Sequence, residues 1–118
     1  MIYNHELKLN SSKYLQINKN LIPTGRFKNV KNTIYNFLQF ENIGKKLDYF
    51  KTKKLNIKFK GFDTTFVINK NTRNLVGTLK NNNTNIKIDF FSNLPGVQLY
   101  SAQNLNYKKN YFHIKAFV

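Results

Sequence analysis

Apolar side chains recur at every second position along most of this chain, and that period commits it to extended backbone. In "HELKLN" the alternation puts Leu7 and Leu9 on one face, in "KYLQIN" it does the same for Leu15 and Ile17, and in "NIKFKGF" for Ile57 and Phe59. Successive side chains of a strand point to opposite faces, so the pattern predicts half-buried strands. The segments "FVINK", "LVGTLKN", "NIKIDFFS", "VQLYSAQ" and "YFHIKAFV" continue it. They are separated by "NKNTRN", "NNNTN", "NLPG" and "NLNYKKN", whose Asn and Gly residues accept turn conformations. Only "IGKKLDYF" reads as helical, and it is short. The expectation is an all-β, antiparallel architecture in a single unit spanning residues 1–118, without internal repeat or linker.

A length of 118 residues with 41% hydrophobic and 15% aromatic content suffices for one core. There is no Cys, which removes disulfides and thiolate metal sites and fits a reducing, cytoplasmic setting. No apolar run is long enough to span a bilayer, and "MIYNHELKLN" has neither the basic nor the apolar region of a secretion signal. A formal net charge of +15 points first to nucleic acid. Its make-up points elsewhere: Arg26 and Arg73 are the only arginines, and Lys is matched by abundant Asn, as in "KNNNTN". Dedicated phosphate and guanine readers rely on bidentate Arg. The charge therefore reads as a solvated basic surface, with no specific nucleic acid and no membrane as partner.

Chemistry has few residues to work with. The acidic residues are Glu6, Glu41, Asp48, Asp63 and Asp89, and the histidines are His5 and His113. No phosphate-cradling Gly loop, metal-spaced His pair or nucleophile elbow is present in the sequence. Asp63 stands apart: in "KGFDTTFVI" it follows Gly61 by two residues, flanked by Phe62 and Phe66, just ahead of an apolar strand. A carboxylate there can accept hydrogen bonds from a sugar's hydroxyls, or cap a turn by accepting from nearby backbone amides. Both readings stand at this point.

Four blocks in order, "NHELKLNSSKYLQINKNLIPTGRFKNV", "IG", "GFDTTFVI" and "LPGVQLYSAQNL", resemble the aldose 1-epimerase (galactose mutarotase) family across nearly the whole chain. The family pattern there runs as a His-led strand, a "liPTGe" turn, a "GfDhnfvl" segment and a "tPGvQlYtgn" segment. Arg26 stands where an acidic residue is usual, Thr64 follows Asp63 in place of His, and "SAQ" replaces "TGN".

The resemblance implies part of a large antiparallel β-sandwich of the galactose mutarotase-like kind, in which Pro95 and Gly96 turn the chain into a strand. It implies that Gln98 and Asp63 bind an aldose such as galactose or glucose, and that no cofactor is required. It places the catalytic His in an "NHsYFNL"-type block upstream of the matched region and the catalytic Glu in a "clEtQ"-type block following "YFHIKAFV". No catalytic residue is therefore assigned within residues 1–118. His5 and His113 read as strand residues with packing or turn-bonding roles. The expected partners are the sugar and a second polypeptide or second copy that completes the sandwich. The alternatives from other classes are a non-catalytic carbohydrate-binding or interaction module and a basic RNA-associated β protein; a sugar-phosphate epimerase would want clustered Arg.

Overall fold

In the computed structural model, which describes residues 2–52, 61–102 and 113–117, nine strands form two antiparallel sheets. The strands are β1 (His5–Leu9), β2 (Lys13–Ile17), β3 (Pro23–Asn29), β4 (Glu41–Asn42), β5 (Asp63–Val67), β6 (Leu75–Asn81), β7 (Ile86–Phe91), β8 (Gly96–Tyr100) and β9 (His113–Phe117), with one helix, α1 (Ile43–Lys51). A four-stranded sheet has the order β4-β1-β6-β7 and a five-stranded sheet the order β3-β2-β5-β8-β9. The chain is all-β apart from α1 and a short 3-10 turn at Ile2–Asn4, as its alternation predicts. The segment holding Ile57 and Phe59 lies outside the described residues.

The chain changes sheets at the corner between β1 and β2, and that corner is stitched from several sides. The Asn10 amide donates to Val76 O at 2.8 Å, its side chain donates to Leu75 O at 2.8 Å, and its carbonyl accepts from Asn69 N at 2.8 Å. Buried Ser11 donates to Lys13 O at 2.8 Å, so its hydroxyl, taken out of water, keeps a partner.

Alternation determines what each sheet buries. Leu7 and Leu9 of β1, Phe66 of β5, and Val97 and Leu99 of β8 face inward and join Val76 in one core. The β3–β4 connection adds Val30 and Phe37, the turn before β5 adds Phe62, and α1 adds Ile43, Leu47 and Phe50. Phe62 is the hub of the aromatic packing: it meets Phe37 at 5.3 Å and Phe50 at 4.9 Å between ring centroids, both edge-on, the arrangement ring quadrupoles favour.

One segment differs from its sequence reading. "PTG", taken as a turn, begins the seven-residue strand β3. Pro is excluded from central strands because it lacks a donor, but it is tolerated at the first residue of an edge strand, and β3 is an edge. Gly25 supplies a φ of 77° there, a value that glycine adopts without strain.

Candidate functional site

Strands β5 and β8 pair so that Asp63 lies opposite Tyr100 and Thr65 opposite Gln98. Residues directly opposite share a face, so Asp63, Thr65, Gln98 and Tyr100 all sit on the outer face of the five-stranded sheet, while Thr64, Phe66, Val97 and Leu99 are buried beneath. The sequence explains this orientation. Phe62 enters the core one residue before Asp63, which forces the carboxylate outward. The entry is locked by a reciprocal pair: Phe62 N donates to Ser101 Oγ at 2.7 Å, and Ser101 N donates to Phe62 O at 2.9 Å. On the other strand, Ile68 N donates to Pro95 O at 2.9 Å, and β8 begins at Gly96, so the Pro-Gly corner does turn the chain into a strand.

The geometry brings Asp63 and Gln98 together: Gln98 Nε2 donates directly to Asp63 Oδ1. Of the two readings left open for Asp63, turn capping is not the arrangement found, because among the described residues its carboxylate accepts from this side-chain amide and from no backbone N–H. The bond uses one Asp63 oxygen and one amide hydrogen. Among the described residues, the other carboxylate oxygen and the Gln98 carbonyl oxygen remain to accept hydrogen bonds, and the second amide hydrogen remains to donate one.

Charge sets Asp63 apart as well. Glu6, Glu41, Asp48 and Asp89 each pair with a lysine, at 3.2, 4.0, 3.0 and 3.5 Å respectively. Asp63 is the fifth acidic residue of a chain with a net charge of +15, and among the described residues it has no cationic partner. Its companion is a neutral amide.

Asp63 also lines a cavity of about 190 Å³ that it shares with Tyr14, Gln16, Lys28 and Tyr35. Tyr14 and Tyr35 pack with ring centroids 4.3 Å apart. Burial raises both phenols above their ordinary value of 10.0, and Tyr14 raises Tyr35 further, so both are neutral hydrogen-bonding groups at physiological pH. The same cavity is lined by Leu15, which pairs with Phe27, and by exposed Ile17. Polar groups that both donate and accept next to an apolar shelf suit a ligand with hydroxyls on one side and C–H groups on another. A wider depression, about 670 Å³, lies at the far end of β5 among residues 67–74 and 92–95, away from Asp63.

The histidines divide. His5 belongs to the other sheet, on its inner face opposite Asn81, with Nε2 3.4 Å from Asn81 Nδ2 and Nδ1 buried without a hydrogen-bond partner among the described residues. The structure does not bring it to Asp63. His113 is placed by backbone register in the row Asp63–Tyr100–His113, two strands from the carboxylate. Single-strand reading had no means of finding that proximity, since register between β8 and β9 depends on the fold. No three His, Asp or Glu residues gather as metal ligands among the described residues.

Fold and site together describe an antiparallel β-sandwich with a carboxylate–amide pair on the outer face of one sheet, and comparison with known proteins gives the family. The aldose 1-epimerase family profile matches residues 1–117, and the chain belongs to that family. A solved GalM/aldose epimerase homologue from C. elegans is similar with a TM-score of 0.74 at 20% identity, covering 98% of this chain and 35% of that one. A galactose 1-epimerase from Lactobacillus acidophilus NCFM is similar with a TM-score of 0.70 at 21% identity, covering 89% of this chain and 30% of that one. No curated protein matches the sequence. The chain spans about a third of the length of these solved relatives.

Proposed function

We propose that the outer face of the five-stranded sheet binds an aldose, of the galactose or glucose type, with Asp63 accepting from sugar hydroxyls and Gln98 both orienting Asp63 and exchanging hydrogen bonds with the sugar. The observation that carries this reading is the Asp63–Gln98 pair itself, a carboxylate held by a neutral amide and, among the described residues, without a cationic partner in a strongly basic chain. The setting proposed is cytoplasmic, and membership of the aldose 1-epimerase family supports the sugar class.

Anomer interconversion demands more than binding. A base removes the proton from the anomeric hydroxyl while an acid protonates the ring oxygen, the ring C–O bond breaks, the aldehyde carbon rotates, and the reverse transfers close the ring on the other face. Positioned acid and base groups contribute about a hundred- to ten-thousand-fold. Neither Gln98 nor an Asp63 engaged in holding hydroxyls supplies both. We infer that the acid and base come from polypeptide other than these residues, either further chain, a second polypeptide or a second copy, and that residues 1–118 alone bind sugar without accelerating mutarotation.

Titration of the chain with galactose and with glucose, followed by the amide signals of β5 and β8, tests the binding. Saturable shifts that Asp63→Asn and Gln98→Ala each weaken by about tenfold are expected. Absence of any sugar response from a folded chain sinks the proposal and favours an interaction module. Polarimetry on the same samples should show background interconversion only. Clear acceleration lost in His113→Ala would identify a proton-transfer group that this reading leaves out.

A further inference from the structure

The two sheets end in very different edges. Strand β3 closes the five-stranded sheet with Pro23, a left-handed Gly25, Arg26 and Lys28, and its pairing to β2 shifts register between Leu15 and Ile17. Proline, charge and irregularity are the devices by which sheet edges avoid pairing with other chains. Among the described residues, strand β7 closes the four-stranded sheet with "IKIDFF"; it carries Lys87 and Asp89, and its pairing to β6 shifts register between Leu75 and Gly77, but it has no proline and no left-handed glycine. From Thr78–Asp89 to Asn81–Ile86 its register to β6 runs unbroken. Its charges cancel, since Lys87 Nζ lies 3.5 Å from Asp89 Oδ2 and Thr78 donates to the same carboxylate at 2.6 Å.

The inner face of this sheet is also unfinished. Cross-strand pairs form the rows Leu9–Gly77–Phe90, Leu7–Leu79–Ile88 and His5–Asn81–Ile86. Leu7 and Leu9 are fully buried, yet Ile88 and Ile86, on the same face, are 48% and 61% exposed. Core-facing isoleucines this exposed, on a strand that is an edge among the described residues and whose two charges cancel, mark a surface that another strand covers.

We propose that β7 pairs antiparallel with β7 of a second copy of this chain, about a two-fold axis through Ile88. A two-fold contact must be self-complementary, and the strand's own order of residues satisfies that condition in one register. Centred on Ile88, the pairing sets Ile88 opposite its symmetry mate and Ile86 opposite Phe90 of the partner on the apolar face. On the polar face it sets Lys87 opposite the partner's Asp89, twice. Centring on Lys87 or on Asp89 instead opposes like charges, and a shift to odd register puts apolar against polar faces. The two inner faces then join into one continuous sheet. Net charges of +15 on each copy oppose association at long range, although the edge itself is neutral. That repulsion is screened over about 8 Å at physiological ionic strength, so added salt strengthens the dimer.

This goes beyond the sugar-binding reading and stands apart from it, because β7 lies in the sheet that carries neither Asp63 nor Gln98. Sedimentation velocity on the intact chain tests it, over a hundredfold range of concentration and at two salt concentrations. A monomer–dimer equilibrium that shifts toward dimer with salt is expected. Lys87→Asp opposes like charges at both ends of the contact and should weaken dimerisation at least about tenfold, whereas Lys87→Asp combined with Asp89→Lys recreates the pairing and should recover it. Because the chain has no cysteine, Ile88→Cys places a single thiol at the axis, and mild oxidation should give a covalent dimer that Arg26→Cys on β3 does not give. A folded chain that stays monomeric in all conditions, or a dimer indifferent to Lys87→Asp and not linked through Ile88→Cys, overturns the proposal. So does a chain whose β7 is covered only when another polypeptide is added.

Discussion

Lys46 shows how far one residue can depart from its usual surface role. It leaves its side chain only 13% exposed, donates to Ile34 O at 2.9 Å, and sits 4.8 Å from the centroid of Phe37, with Glu41 at 4.0 Å. Burial holds its ammonium below the ordinary lysine value of 10.5, and Glu41 opposes that shift only in part. Lys46→Ala removes the donor to a carbonyl and the stem that covers Phe37, and should cost about 1–3 kcal/mol by chemical denaturation. Lys46→Met keeps the stem and should lose less. The pH dependence has a definite sign. Between the lowered native value and 10.5 the unfolded chain binds more protons than the native one, so this lysine makes stability rise with pH there. Wild type should therefore gain on Lys46→Met as pH approaches 10.5, while a constant difference across that window would show that the native ammonium titrates normally.

Among the elements, α1 reads plainly in sequence and yet hides its main constraint. "IGKKLDYF" predicts a helix, and Asn42 caps it by accepting from Lys45 N at 2.8 Å. Asn42→Ala should cost about 1 kcal/mol. Helix propensity alone predicts that Gly44→Ala stabilises the chain. The fold reverses that sign, since a Cβ on Gly44 would lie 2.5 Å from Tyr3 O, a backbone atom that cannot swing away. Gly44→Ala should lower the melting temperature, by an amount corresponding to about 1–3 kcal/mol. A neutral or stabilising result would mean that the Ile2–Asn4 turn yields easily. The same division between pattern and context runs through the strands. Period-two alternation exposes β1 and β8, and with them the outward parity of Gln98, because that property belongs to each strand by itself, whereas Asp63, read as lying just ahead of the strand at "FVINK", is the first residue of β5. Alternation does not reveal that the two side chains bond, that His113 shares their row, or that Ile86 and Ile88 stay exposed, because register and edge position belong to pairs of strands. Strand β3 was hidden for another reason: its Pro and Gly are turn residues everywhere except at an edge.

At the scale of the whole molecule, charge is the dominant imbalance. Twenty Lys and Arg face five acidic residues, four of which are already in ion pairs, so most cations have no anionic neighbour and repel one another across the surface. Like-charge repulsion destabilises a compact state relative to an expanded one, and salt relieves it. The melting temperature should therefore rise as salt is added at neutral pH, opposite to a fold held by surface salt bridges. Mild acid should act in the reverse direction. Glu6 is held below its ordinary 4.5 by hydrogen bonds from Asn82 and Lys80, and Asp89 below its ordinary 3.8 chiefly by Thr78. Their contributions are complete above those values and are lost as pH falls through the lowered ones, just where net positive charge is also climbing. The same surface attracts polyanions without reading them. Six to ten phosphate contacts lose about three to five orders of magnitude in affinity between ~50 and ~200 mM salt. RNA or heparin retained at low salt should elute over that interval, with no preference among sequences. Retention by one RNA sequence through high salt would require clustered, directed cations, whereas of the two arginines Arg26 lies on β3 of the five-stranded sheet and Arg73 in the turn before β6 of the four-stranded sheet.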